Sequence, residues 1–404
     1  MSKMRLRGFE NASGQRHVSE DDRYLYRREE PRFRLVIIGT GTMGQEHMRV
    51  AALLGRARIH GIYDTRSLSM DTAEANFLPL QSQPLVRYND LFSACNDPAA
   101  DALLICTPNH THFDVLRTAM QSNKPIFLEK PMATELQDAA EIVRADEAYE
   151  SFIQIGLQYR YKPQYLEAFR EALDNRALGQ IKTVSVSEYR PPFLDKVDQW
   201  NKFARLSGGT LVEKCCHYFD LINLLAEARP QRIYASGGQA VNFVDFERNG
   251  VKSDIDDHAF VAIDYANGVR ASFTLNMFCP DFAEELIVVG DAGRLKAEEY
   301  HDIHRSGSGN ASLIIKLGEN GLSKTSDLTY PRAIEQSGHH GSTYFEHIAL
   351  MDRLEGKEVD SATPRQGMWA MVVASAAQQS LALGRPIDVD RFILDHDLAS
   401  LLNR

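Results

Sequence analysis

The chain has 404 residues, 44% of them apolar and 25% charged, with a formal net charge of −10. That length holds two or three domains of roughly 100–200 residues each, with a large buried core. The charge is spread without blocks of one sign, which excludes the basic stripe of a nucleic-acid binder, and no apolar run reaches the ~20 residues of a membrane span.

The five cysteines, Cys95, Cys106, Cys215, Cys216 and Cys279, are odd in number and form no spaced framework, which points to a reduced, cytoplasmic setting. Arg27-Arg28 runs into Glu29, Glu30 and Pro31 instead of an apolar stretch, so it is not read as a twin-arginine export signal. Residues 1–32, polar and of mixed charge, read as a mobile or oligomer-clasping arm.

From residue 33 to 157 strands alternate with helices. The pattern predicts strands over Phe33–Ile38, Arg58–Tyr63, Leu103–Cys106, Pro125–Leu128 and Phe152–Leu157, with helices over Gln45–Leu54, Phe113–Gln121 and Glu135–Glu147. Such alternation implies a parallel α/β sheet with right-handed crossovers. Residues 158–404 differ. Helices are predicted over Tyr165–Leu173, Leu211–Leu225 and Arg365–Leu383, the last stopped by Gly384 and Pro386. Strands are predicted over Thr183–Tyr189, Arg232–Ala235, Ala259–Tyr265, Arg270–Met277, Glu285–Val289 and Ser312–Lys316, with a hairpin turn at Ala266-Asn267-Gly268. This is an α+β domain with an antiparallel sheet.

The first strand runs into Gly39-Thr40-Gly41-Thr42-Met43-Gly44, and a helix follows. In that setting G-x-G-x-x-G is a dinucleotide turn: Gly39 allows the tight bend, Gly41 lets backbone approach a pyrophosphate, and Gly44 allows close helix–sheet packing. The helix N-terminus offers free N–H groups to the phosphates. Asp64 stands 20 residues beyond Gly44, at the end of the second strand. A carboxylate there accepts hydrogen bonds from ribose hydroxyls and repels a 2′-phosphate, which favours NAD. Arg66 could pair with that phosphate, so NADP stays open.

Three further segments complete a pattern: Thr107-Pro108-Asn109-His110-Thr111-His112, Glu129-Lys130-Pro131, and Gly208-Gly209-Thr210-Leu211-Val212-Glu213 leading to His217-Tyr218-Phe219-Asp220. In this order and spacing the chain resembles the Gfo/Idh/MocA oxidoreductases from residue 33 on. The resemblance implies a Rossmann domain followed by an α+β domain with an open, mostly antiparallel sheet, often the interface of a homodimer or homotetramer. It implies a small sugar or polyol substrate. It places Thr107, Pro108 and Asn109 against ribose and nicotinamide, with Glu129 near the cofactor and His112 either at the cofactor or packed at the helix start. Lys130 orients the substrate hydroxyl and shares in its deprotonation. Glu213 and His217, four apart on the predicted helix, share one face, with Asp220 near it. His217 is the candidate general base, Glu213 binds a substrate hydroxyl or assists the base, and Asp220 braces the histidine from behind. Glu213 stands where the family usually has Asp and reaches one methylene further.

Tyr159 and Arg160 match a cleft-lining segment. Trp200 and Tyr344 are candidates for stacking on a sugar ring, and His339-His340 for lining the pocket. Cys215, Cys216 and His217 are not read as a metal site, because neighbouring helical residues diverge by about 100°. The activity so implied is hydride transfer between a secondary alcohol of a sugar, cyclitol or polyol and NAD. Its rivals are redox-elimination cleavage of a glycoside and dinucleotide sensing without chemistry.

Overall fold

The computed structural model describes residues 31–402 apart from 82, 302–309 and 320. The arm assigned to residues 1–32 therefore lies, up to residue 30, outside the described residues.

The first sheet has six parallel strands: β1 Phe33–Ile38, β2 Ala57–Tyr63, β3 Val86–Arg87, β4 Ala102–Ile105, β5 Ile126–Glu129 and β6 Ile153–Gly156. Their order, β3-β2-β1-β4-β5-β6, is that of a doubly wound dinucleotide-binding fold. Leu35, Val36, Ile37 and Ile38 are all fully buried, as expected of a strand covered on both faces. The helix after β1 spans Thr42–Leu54, three residues longer at its start than periodicity alone predicts, because Gly41 caps it. The helices Ser67–Phe77 and Leu91–Asn96 escape sequence reading, since the first is mostly polar, the second is only six residues long, and each buries only two or three side chains.

At Gly39 and Gly44 of the glycine turn the backbone leaves no room for substitution. Gly39 has φ +94°, and a Cβ there would lie 2.7 Å from the Cys106 carbonyl and the Thr107 nitrogen. A Cβ on Gly44 would lie 2.0 Å from the Gly39 carbonyl oxygen. Gly44→Ala is therefore expected to push the helix off the strand, destabilising the fold by about 1–3 kcal/mol. Urea denaturation measures this, and an unchanged midpoint would contradict the packing described.

The second sheet has nine strands. They are β7 Ile181–Tyr189, β8 Pro230–Gly238, β11 His258–Tyr265, β12 Arg270–Asn276, β13 Phe282–Gly290, β14 Gly293–His301, β15 Asn310–Leu317, β16 Leu322–Leu328 and β17 Ile387–Asp388; β9 Glu247–Arg248 and β10 Val251–Lys252 form a separate ribbon. The order is β16-β15-β14-β13-β7-β12-β11-β8-β17, open at both edges, and only β7 and β12 pair in parallel. The hairpin between β11 and β12 turns at Asn267-Gly268, with Gly268 at φ +89°. Sequence reading missed β14 because Glu299 occupies a core-facing position, where it meets buried Lys162, and so hides the alternation. It missed β16 because nearly every residue there is exposed.

Helices Pro163–Phe169, Cys216–Ala226 and Pro364–Leu383 cover one face of this sheet, while the other leaves Tyr234 and Phe260 exposed. Two helices tie the domains together. Pro364–Leu383, opened by a Thr363–Gln366 capping box, packs on both β8 and Leu136–Glu147. Ser342–Leu354 returns to the first domain, where Leu350 and Met351 join the cluster around Leu35, Ile37 and Met48.

One expectation fails here. Leu211–Leu225 is not a continuous helix but Thr210–Glu213 and Cys216–Ala226, broken at Lys214–Cys215, where two N–H groups share the Thr210 carbonyl. Glu213 and His217 therefore do not share a face by simple helical spacing.

Candidate active site

The domains meet along a cleft of ≈ 1180 Å³. One wall is the carboxyl edge of the first sheet, where ligands of such folds bind. The other is the segment from Arg190 to Leu206, with Glu213, Lys214 and His217.

The glycine turn occupies one end, with Gly39, Gly41, Thr42 and Met43 on the cleft wall. Gly44 faces inward against Gly39 and Ile37. Nothing stands within 4 Å of where a Gly41 Cβ would be. No side chain caps the following helix and its first turn holds no acid, so its N–H groups and partial positive charge stay available to phosphate. Asp64 is fixed at the end of β2: its Oδ2 accepts from the Thr40 N–H at 2.8 Å, and its Oδ1 from the Arg66 N–H at 2.9 Å. The Arg66 guanidinium turns away to Asp198, 2.9 Å distant, which also binds Arg248. These features fit a dinucleotide.

After β4, Thr107, Pro108 and Asn109 line the cleft, and the Asn109 amide donates to the Ser207 carbonyl. His112 abuts two backbone carbonyls, Pro131 at 2.7 Å and Thr107 at 2.8 Å. The ring lines the cleft and bridges the β4 loop to the β5 loop.

After β5, Glu129 and Lys130 enter the cleft. The Glu129 carboxyl takes a hydrogen bond from His47 Nε2 at 2.8 Å and one from the Lys130 N–H at 3.1 Å. Burial opposes its ionisation, but the bond and charge of His47, with Lys130 and His339, together outweigh this and hold the carboxyl below its ordinary range. His47 Nδ1 in turn meets His347 Nε2, 2.7 Å away. The Lys130 ammonium donates to the Glu213 main-chain carbonyl at 3.0 Å. The loop after β5 is thereby joined to the second domain.

His217 lies flat against Tyr159, with ring centroids 4.1 Å apart and planes 8° from parallel. Burial, with Lys130 and Lys214 adding to it, pushes its imidazolium well below the usual histidine range, which favours the neutral ring, and its Nδ1 has no partner among the described residues. The Tyr159 hydroxyl accepts from Lys214 at 2.5 Å. Burial raises the Glu213 carboxyl against the pull of Lys130, Lys196, Arg190 and Lys214, and its Oε2 has no partner among the described residues.

Three sequence expectations are overturned. Asp220 does not brace His217: both its oxygens hold Arg160, at 2.6 Å each. Arg160 is thereby buried and bound, with Gln366 as its other partner, and lies away from the cleft. Tyr344 packs in a small cluster with Val50 and Ile334, too far inside to stack on a sugar. Trp200 and His339 do line the cleft, whereas His340 pairs with Glu299. Among the described residues no group of three or more His, Cys, Asp or Glu side chains is placed to hold a metal ion.

Sequence reasoning missed His47, Arg190, Lys196 and Lys214. The signal for Lys214 was a charged residue inside an otherwise buried stretch. His47 sits one helical turn beyond Gly44, on the side facing the sheet.

The doubly wound sheet, the open glycine turn and the adjoining polar cleft define a nicotinamide-dinucleotide-binding oxidoreductase. Two family models agree: the oxidoreductase family's NAD-binding Rossmann fold matches residues 33–157, and its C-terminal alpha/beta domain matches residues 170–389. The chain belongs to the Gfo/Idh/MocA oxidoreductase family. It is 24% identical over 359 residues to the oxidoreductase YrbE of Bacillus subtilis (strain 168), spanning 88% of this chain and 96% of the relative. It is 21% identical over 364 residues to the myo-inositol 2-dehydrogenase of Thermotoga maritima, spanning 89% and 99%. Its fold matches that of an Agrobacterium radiobacter oxidoreductase solved with NAD+, L-tartaric acid and magnesium, with a TM-score of 0.71 at 19% identity over 89% of this chain and 99% of that one.

Proposed function

We propose that the protein oxidises a secondary alcohol of a sugar, cyclitol or related polyol, with NAD as the hydride acceptor. The observation that carries this is convergence: Lys130 from the first domain and Glu213 and His217 from the second line one cleft with the glycine turn. Bound nicotinamide supplies the hydride acceptor. Lys130 orients the substrate hydroxyl, neutral His217 accepts its proton, and the Glu213 carboxyl binds a neighbouring hydroxyl. A site rich in such groups discriminates by leaving them unpaired when an apolar ligand enters. The inositol dehydrogenases among its relatives lend support to a cyclitol or sugar.

NAD is preferred over NADP because the Asp64 carboxylate stands at the ribose end and Arg66 is already held by Asp198. Asp64→Ser is expected to narrow the NAD/NADP ratio of kcat/KM by about tenfold or more, the scale of one lost charge effect. Unchanged NADP kinetics would remove Asp64 from that role. The activity itself is tested by a panel of sugars and cyclitols with each cofactor, read by absorbance of the reduced nicotinamide. Steady sugar release from glycosides with no net reduction would overturn simple oxidation.

A further inference from the structure

In the part of the cleft around Glu213, four cations share few direct ion pairs. Lys130, Arg190, Lys196 and Lys214 all act on the Glu213 carboxyl. Facing these four are Glu129, Glu188 and Glu213. Glu129 is bonded to His47. Glu188 is shared, with Lys214 at 3.0 Å and Arg190 at 3.6 Å. Lys130 rests on a main-chain carbonyl. Lys196 lines the cleft on the segment that follows β7, and among the described residues its ammonium has no hydrogen bond or ion pair. Asp195 beside it is paired with Lys202.

A part-buried ammonium without a hydrogen-bonding partner is costly unless a ligand completes it. The cofactor phosphates already have their place at the N-terminus of Thr42–Leu54, on the first domain, whereas Arg190 and Lys196 belong to the second. We propose that the substrate is an anionic sugar, a polyhydroxy compound whose carboxylate or phosphate group is seated on Lys196 and Arg190. This rests on the polyol reading above and narrows it. The anion holds the ring so that its hydroxyl reaches Lys130 and His217.

The test is calorimetric titration of the protein–NADH complex with matched ligands: D-glucuronate and D-glucose 6-phosphate, each against D-glucose. At least one anion is expected to bind about tenfold or more tightly than the neutral sugar, the range of one charge-assisted hydrogen bond, and the two arms separate carboxylate from phosphate. Lys196→Met should shrink the preference to about threefold or less, and Lys196→Arg should keep it. Equal affinities, no binding by any member, or a preference that survives Lys196→Met overturns the proposal. So does a fall in NADH affinity that matches the loss of anion preference, which would assign Lys196 to the cofactor. Oxidation of neutral polyols without anion preference defeats this inference alone. Tight anion binding with no oxidation of any alcohol defeats the polyol-dehydrogenase reading alone.

Discussion

Replacing Lys130 with Met is expected to lower kcat by about 10³-fold while the affinity for NAD changes by less than about threefold. Among the described residues the lysine has no carboxylate ion pair; its ammonium donates to the Glu213 carbonyl. A methionine of similar length keeps the packing but can neither hold a hydroxyl nor pass a proton. The glycine turn and Asp64 lie on other loops, so dinucleotide binding has no reason to fail with it. Fluorescence titration with NADH and steady-state rates on the best substrate separate the two effects. Turnover near wild type would remove Lys130 from the chemistry, and loss of both together would make it a cofactor contact.

The second large effect is on stability. Asp220→Ala should destabilise the protein by about 3–5 kcal/mol, because it strands the Arg160 guanidinium in the interior without its two charge-assisted bonds. Replacing both partners at once, Arg160→Met with Asp220→Leu, should recover most of that loss, since no buried charge is then left uncompensated. Urea denaturation of the two variants is the measurement. If Asp220→Ala keeps its midpoint and instead shifts the pH profile of turnover, the carboxylate acts on His217 after all.

These two residues show how much of the site was legible in sequence. Lys130 stands where a parallel strand must end at the crevice, so its place followed from local pattern, as did Gly39, Gly41 and Asp64. Asp220 sits three residues beyond His217 and looked like its partner by helical spacing. The partner that won, Arg160, is 60 residues away in the chain and arrives from the turn after β6. Tyr344 failed for the same reason: an aromatic near His339 in sequence is carried inward by the helix that packs on Thr42–Leu54. Lys196 and Lys214 were silent because an unmatched charge becomes visible only when its neighbours are known.

By itself the sequence determined the strand–turn–helix that binds dinucleotide, the alternating order of the first domain and the run of strands in the second. Periodicity, glycine conformation and strand ends are local properties, written in neighbouring residues. Only the tertiary structure decided that Glu213 and His217 sit on two helices, that Arg160 and Asp220 form a buried pair, and that Lys196 reaches the cleft with no ion pair among the described residues. Each of those depends on Coulomb and packing contacts between segments far apart in the chain, whose partners no local pattern specifies.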